Sequence, residues 1–294
     1  MRKRQIAKFC VWSLGLFVLC TTPACAQDIS TLAQQEQQQL AQQEILQELV
    51  KADVVYLGET HDSPEDHQAQ LYILQTLYQQ NQKIAIALEM FQRPYQNVID
   101  RYLAGEITEQ QLVEQSEYEE RWGFPWEYYA PILRFARANQ LPVIALNTPT
   151  EVTRKVARSG LESLTAPERK YIPPLSEIRT DNAEYRQMMQ KFYAQHHQAG
   201  HGNSSGFERF FTAQVLWDET MADAIAQFIK AKPDYQVVVL AGKGHIVYGY
   251  GIPSRVARRL NNHQLVQRSV LLGVPETENS KGKKAMADYF WEHE

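Results

Sequence analysis

The chain has 294 residues, 44% hydrophobic and 22% charged, enough apolar material for a sizeable core. Its formal charge is −4. The first 26 residues carry four cations and no anions, so without them the remainder stands at −8. An acidic body of this kind argues against nucleic acid as a partner. All three cysteines (Cys10, Cys20, Cys25) lie in those 26 residues, which excludes disulfides and thiolate metal sites from the rest.

Residues 1–26 read as a secretory signal peptide. Arg2, Lys3, Arg4 and Lys8 form a basic region, and Phe9 to Cys20 an apolar stretch of 12 residues, too short to span a bilayer comfortably. Ala24 and Ala26 flank a small-residue cleavage site. A rival reading takes Cys25 as a lipidated cysteine, although Thr22 stands where a lipid-anchor signal carries an aliphatic residue. The expected location is exported and periplasmic, with a membrane link only through lipid at Cys25.

A glutamine-rich segment, residues 28–50, takes helical spacing in its second half at Leu40, Ile45, Leu46, Leu49 and Val50. Val54–Leu57 reads as a buried strand running into Gly58-Glu59-Thr60-His61. Pro64 opens a helix through Leu71, Leu74 and Leu77. Ile84–Leu88 is a second strand ending at Glu89, and Thr108 to Gln111 has capping-box spacing. Pro142–Asn147 is a third strand. Helical segments follow from about 150 to 230, broken near Ile172-Pro173-Pro174 and by a Gly/Ser loop at 200–206. Val237–Ala241 is a fourth strand, running into Gly242-Lys243-Gly244-His245. Pro253 begins a short helix, Val266–Leu271 makes a last strand, and residues 273–294 read as a polar tail. Strands separated by helices mean crossover connections. The expected fold is α/β, a mainly parallel sheet flanked by helices within residues 27–272, with a large helical insertion before the strand that carries the second motif.

In parallel sheets, ligands gather outside the carboxyl ends of the strands. Four predicted strands end there in polar residues: Glu59 with His61, Glu89, Asn147, and Lys243 with His245. Asp218 adds a fifth candidate. Its helical neighbours are Val215, Gln214, Phe211, Met221, Ala222 and Ile225, so its carboxylate faces inward and must be paired or bound. Glu219 falls instead on the polar stripe of the same helix. Two histidines and several carboxylates suit a divalent metal such as zinc or manganese, with His61, His245, Glu59 and Asp218 as ligands. They also suit hydrolysis, with Glu59 or Glu89 as the catalytic base. No H-E-x-x-H helix and no serine nucleophile elbow is present.

Seven aromatics fall within residues 118–135, where the 11% average predicts about two. They build either an aromatic core or a wall for a flat apolar ligand, with Tyr129 at a helix start as a candidate iron ligand. His196, His197 and His201 read as loop histidines without a role. Arg255, Arg258 and Arg259 read as a solvated helix face, with docking of propionates or phosphates as the alternative.

Six segments in this order resemble the haem-binding ChaN family: 54–62 (VVYLGETHD), 87–91 (ALEMF), 126–132 (WEYYAPI), 143–147 (VIALN), 214–222 (QVLWDETMA) and 241–245 (AGKGH). More distantly the chain is similar to Tiki, TraB and erythromycin-esterase proteins. The resemblance implies haem as cofactor and partner in iron acquisition, a homodimer sandwiching its haems, and a tyrosine on the iron. On this chain it places Tyr129, rivalled by Tyr128, as that ligand, with Trp126 and His245 also at the cofactor. The core positions it carries over are Glu59, His61, Glu89, Asp218 and His245. The alternative it carries is a metal-dependent hydrolase.

Overall fold

A computed structural model of the chain describes residues 23–196, 204–274 and 284–293. Most of the proposed leader, the histidines His197 and His201, and most of residues 273–283 therefore lie outside the described residues. The chain divides into two units, residues 1–41 and Gln42–Glu294, and the second carries the sheet. No described helix is long and apolar enough to cross a membrane.

Six parallel strands form the sheet: β1 (Val54–Glu59), β2 (Ile84–Gln92), β3 (Val143–Asn147), β4 (Gln236–Gly242), β5 (Gln267–Leu272) and β6 (Tyr289–Trp291). Their spatial order is β3-β2-β4-β1-β5-β6. The sixth strand arises inside the segment read as a polar tail. Only three residues pair, and Trp291 is buried, so one aromatic anchor in a charged stretch gave no periodic signal. The helical insertion falls where expected, between β3 and β4.

β1, β2 and β4 are buried along their whole length, as strands covered on both faces must be. Alternation still sorts their side chains. Val55, Leu57, Ile86, Leu88, Val238 and Leu240 join the core beneath α2 (Pro64–Gln80) and α6 (Trp126–Ala138). Val54, Tyr56, Ala85, Ala87, Val237 and Val239 join the opposite core, beneath α9 (Ser204–Ala231) and α10 (Ile252–Leu260). Continuing each alternation past the apolar run sends Glu59 to the α2/α6 side and Glu89 to the α9 side.

Helix starts follow local chemistry. Ser63 caps α2 by accepting from the Asp66 N–H, with Pro64 in the first turn. Thr108 and Gln111 form the capping box of α4 (Glu109–Gln115), as the spacing predicts. α6 buries Tyr129, Ile132, Leu133 and Ala136, the i, i+3, i+4, i+7 stripe of an amphipathic helix.

Candidate functional site

β1 and β4 are neighbours in register, with Glu59 opposite Gly242, so the two G-x-x-H motifs lie side by side at the carboxyl edge. β2 flanks β4 and delivers Glu89 to the same edge. The topology thus gathers residues separated by up to about 190 positions.

His61 is held by Glu59, whose Oε1 lies 2.7 Å from His61 Nδ1. That carboxylate is fully enclosed. Tyr129 donates its hydroxyl to Oε1 at 2.5 Å and Gln70 donates to Oε2 at 2.5 Å. With Nδ1 donating to Glu59, the Nε2 lone pair of the neutral ring is free, and no described residue meets it with a hydrogen bond. The ring lies against the Gly242 backbone: a Cβ at position 242 would stand 2.9 Å from His61 Nε2 and Cε1. Trp122 and Phe124 pack on it at centroid distances of 4.9 and 5.0 Å. Burial opposes charge on His61, but the Glu59 hydrogen bond and the Glu89 and Glu59 charges leave its pKa raised overall.

The second imidazole is held from both ends. His245 Nδ1 lies 2.7 Å from Asp218 Oδ1, and Nε2 lies 3.3 Å from Glu89 Oε1. Asp218 is completely buried and also accepts from the Tyr185 hydroxyl at 2.7 Å. Glu89 Oε2 accepts the Gly242 N–H at 2.7 Å. Burial would disfavour both charges, yet the carboxylates drive the His245 pKa up to about 10. Against the same burial, His245, His61 and the Gly242 N–H hold Glu89 down at about 2. His245 is an imidazolium between two carboxylates at neutral pH, whereas His61 has one carboxylate and an open nitrogen.

Both histidines and Glu89 line a cleft of about 740 Å³. Trp122, Phe124, Phe210 and Trp217 give it aromatic surface, and Arg121, Arg154 and Arg209 give it cations. Arg121 is engaged by Glu117 and Glu151. Arg154 and Arg209 have no carboxylate within ion-pair distance among the described residues, and both line the cleft.

Several expected placements need correction. Tyr129 does not reach the cleft: its phenol is fully buried on Glu59, and burial with the Glu59 charge pushes its pKa far up, away from phenolate. Tyr128 stacks on His67 at 4.9 Å, and Trp126 donates to Glu109 at 2.9 Å; neither lines the cleft. The aromatic segment therefore splits, with Tyr118 and Tyr129 in the core and Trp122 and Phe124 on the cleft wall.

The four-ligand divalent metal set does not converge. Asp218 sits on the Nδ1 side of His245, away from Glu89, and both Glu59 oxygens are taken by protein donors. Among the described residues no group of three or more His, Cys, Asp or Glu is arranged to hold a metal ion. Glu219 is not on a solvated stripe but fully buried, and Arg255 and Arg259 are buried against it.

Residues missed in the sequence support the imidazoles. Gln70 and His67 share the buried face of α2 with Leu74 and Leu77, a polar pair on an apolar stripe that spacing alone could have exposed. Tyr185 and the cleft arginines left no comparable mark.

Comparison with known proteins gives the architecture a context. ChaN of Campylobacter jejuni, solved with cofacial haem, shares the fold at TM-score 0.61 and 21% identity, covering 83% of this chain and 89% of that one. An erythromycin esterase in its open conformation overlaps at TM-score 0.46 and 17% identity, over 83% of this chain and 77% of the other. In sequence, protein RETICULATA-RELATED 5, chloroplastic, of Arabidopsis thaliana is 28% identical across 84% of this chain. The chain spans 35% of that relative's length. Over residues 45–256, which hold four of the six strands and both G-x-x-H motifs, the sequence matches the model of the haem-binding uptake family ChaN of the Tiki superfamily, and the chain belongs to that family.

Proposed function

We propose that this chain binds haem in the cleft at the carboxyl edge of the sheet, with His61 Nε2 as the iron-facing base. One observation carries the reading: an imidazole oriented by a buried carboxylate presents an open nitrogen to an aromatic-walled cavity. Carboxylate-oriented histidine is the usual arrangement behind a metal-binding imidazole. The residues fit the group. Trp122, Phe124, Phe210 and Trp217 supply faces for a flat macrocycle, and Arg154 and Arg209 supply cations for its two carboxylates. Haem would supply an iron that takes a protein base, and His61 would hold it through Nε2. Haem uptake is the role that the family description supports, and export through residues 1–26, with or without lipid at Cys25, would place it outside the cytoplasm.

The test is a haem titration of the full chain followed through the Soret band. Saturable binding is expected, with a shifted band in His61→Ala. Arg154→Ala with Arg209→Ala should weaken haem more than its dimethyl ester, which lacks the carboxylates. No saturable change in the Soret region overturns the proposal.

A second reading, acid–base hydrolysis, is favoured by a separate observation. His61 with Glu59 is arranged as a general base, and cationic His245 lies across the same cleft as a charge stabiliser. Turnover of a nitrophenyl ester that disappears in His61→Ala would support it. No turnover above the His61→Ala background removes it.

A further inference from the structure

One residue beyond Asp218, Glu219 belongs to a different cluster. Its carboxylate is fully buried and meets Arg258 Nη2 at 2.5 Å, Arg259 Nη2 at 2.9 Å and Arg255 Nε at 3.3 Å. One carboxylate thus serves three guanidiniums. Beside it lies a cavity of about 490 Å³, lined by Arg179, Lys230, Arg258 and Arg259 together with Glu177 and Asp223. Asp223 pairs with Arg93 at 3.0 Å and meets Arg259 Nε only at 3.9 Å, and Glu177 reaches only Arg259, at 3.4 Å.

The charges do not balance. Six cations (Arg93, Arg179, Lys230, Arg255, Arg258, Arg259) face three carboxylates (Glu177, Glu219, Asp223). Asp218 approaches Arg255 only at 4.0 Å and is committed to His245. The carboxyl ends of α9 and α10 lie here, and their dipoles offset about half a charge each, which leaves a surplus of about two. Hydrogen bonding is incomplete as well. The Arg259 side chain is only 6% exposed, yet its Nε and Nη2 have no well-directed acceptor, and Arg255 Nε has none either. Burial, with the neighbouring Arg258, lowers the Arg259 pKa against the opposing charges of Glu219, Asp223 and Glu177. Buried donors left unmatched usually mark a missing partner.

We propose that this cavity binds a phosphate dianion, free or as the ester of a small molecule, with Arg258 and Arg259 at its floor and Arg179 and Lys230 at its rim. Two negative charges match the surplus. A tetrahedral oxyanion also offers enough acceptors for several guanidinium forks, where one carboxylate would leave donors unfilled. The volume falls in the range of small-molecule sites and leaves room for the organic part of an ester. The site is separate from the histidine cleft and does not rest on the haem reading.

The test is calorimetric titration of the full chain with inorganic phosphate, pyrophosphate and glycerol phosphate at constant ionic strength. Saturable binding of at least one is expected, weakened on the order of tenfold or more by Arg179→Ala with Lys230→Ala, both exposed and therefore safe for folding. The cleft variant, Arg154→Ala with Arg209→Ala, should bind as the parent does. A rise in Tm with phosphate, seen in the parent and absent in the rim variant, is the second readout. No saturable binding of any of the three, equal competition by chloride, or loss in the cleft variant with retention in the rim variant would each overturn the proposal.

Discussion

The two histidines differ because their second nitrogens meet different company. His61 spends Nδ1 on Glu59 and keeps Nε2 open, whereas His245 spends both. His61→Ala should therefore change the haem spectrum, while Tyr129→Phe should leave the band in place and act on stability. Removing the Tyr129 hydroxyl takes a donor from the buried Glu59 carboxylate, worth roughly 1.5–3 kcal/mol, which urea unfolding would read. An iron ligated by Tyr129 would give the reverse pattern. The Glu89–His245 pair sets a pH window. Glu89 is depressed from 4.5 to about 2, so its contribution is complete above 4.5 and fades as pH falls toward 2. His245 is raised from 6.5 to about 10, so its contribution is complete below 6.5 and fades as pH rises through 10. Chemical denaturation across this range should show stability falling on both sides of that window, and His245→Gln should flatten the alkaline side.

At the level of elements, the edge depends on strands meeting in register and on glycine where a ring must pass. Gly242→Ala places a methyl 2.9 Å from the His61 ring, so the ring must swing. Haem affinity should fall while global stability, followed by circular dichroism, changes little. Gly251 is less forgiving: a Cβ there would run into the His245 carbonyl and stand 3.0 Å from Asp218 Oδ1, so Gly251→Ala should compromise folding. Helix starts behave as local chemistry dictates. Thr108→Ala removes the capping bond of α4 and should cost about 1 kcal/mol in thermal or urea unfolding.

Across the whole sheet unit, the carboxyl-terminal residues close the structure. β6 pairs with β5 and buries Trp291, and His293 lies 2.5 Å from Asp66 at the start of α2. Ending the chain before residue 284 would remove that Trp anchor, a loss comparable to the roughly 3–5 kcal/mol of a buried Trp→Ala change, and bare the edge of β5. A lower Tm and concentration-dependent association in light scattering are the expected results; a Tm equal to the parent's would show β6 to be dispensable.

The sequence by itself determined five of the six strands, the crossover order that makes them parallel, the capping box at Thr108 and the inward turn of Asp218. Each is written in periodicity or in the chemistry of adjacent residues. It also brought His61, His245, Glu59 and Glu89 forward together, because polar residues at the ends of apolar runs stand out, and Asp218 with them, because a carboxylate among apolar helical neighbours does too. Only the tertiary structure decided which partner each group meets. Pairing between side chains distant in sequence depends on strand order and register, so no local pattern could separate Tyr129, sealed on Glu59, from Trp122 and Phe124, which face the cleft. For the same reason Arg255 and Arg259 look like a solvated face when read as helix positions. Their burial is decided by Glu219 on α9, and a one-dimensional pattern carries no record of what packs against it.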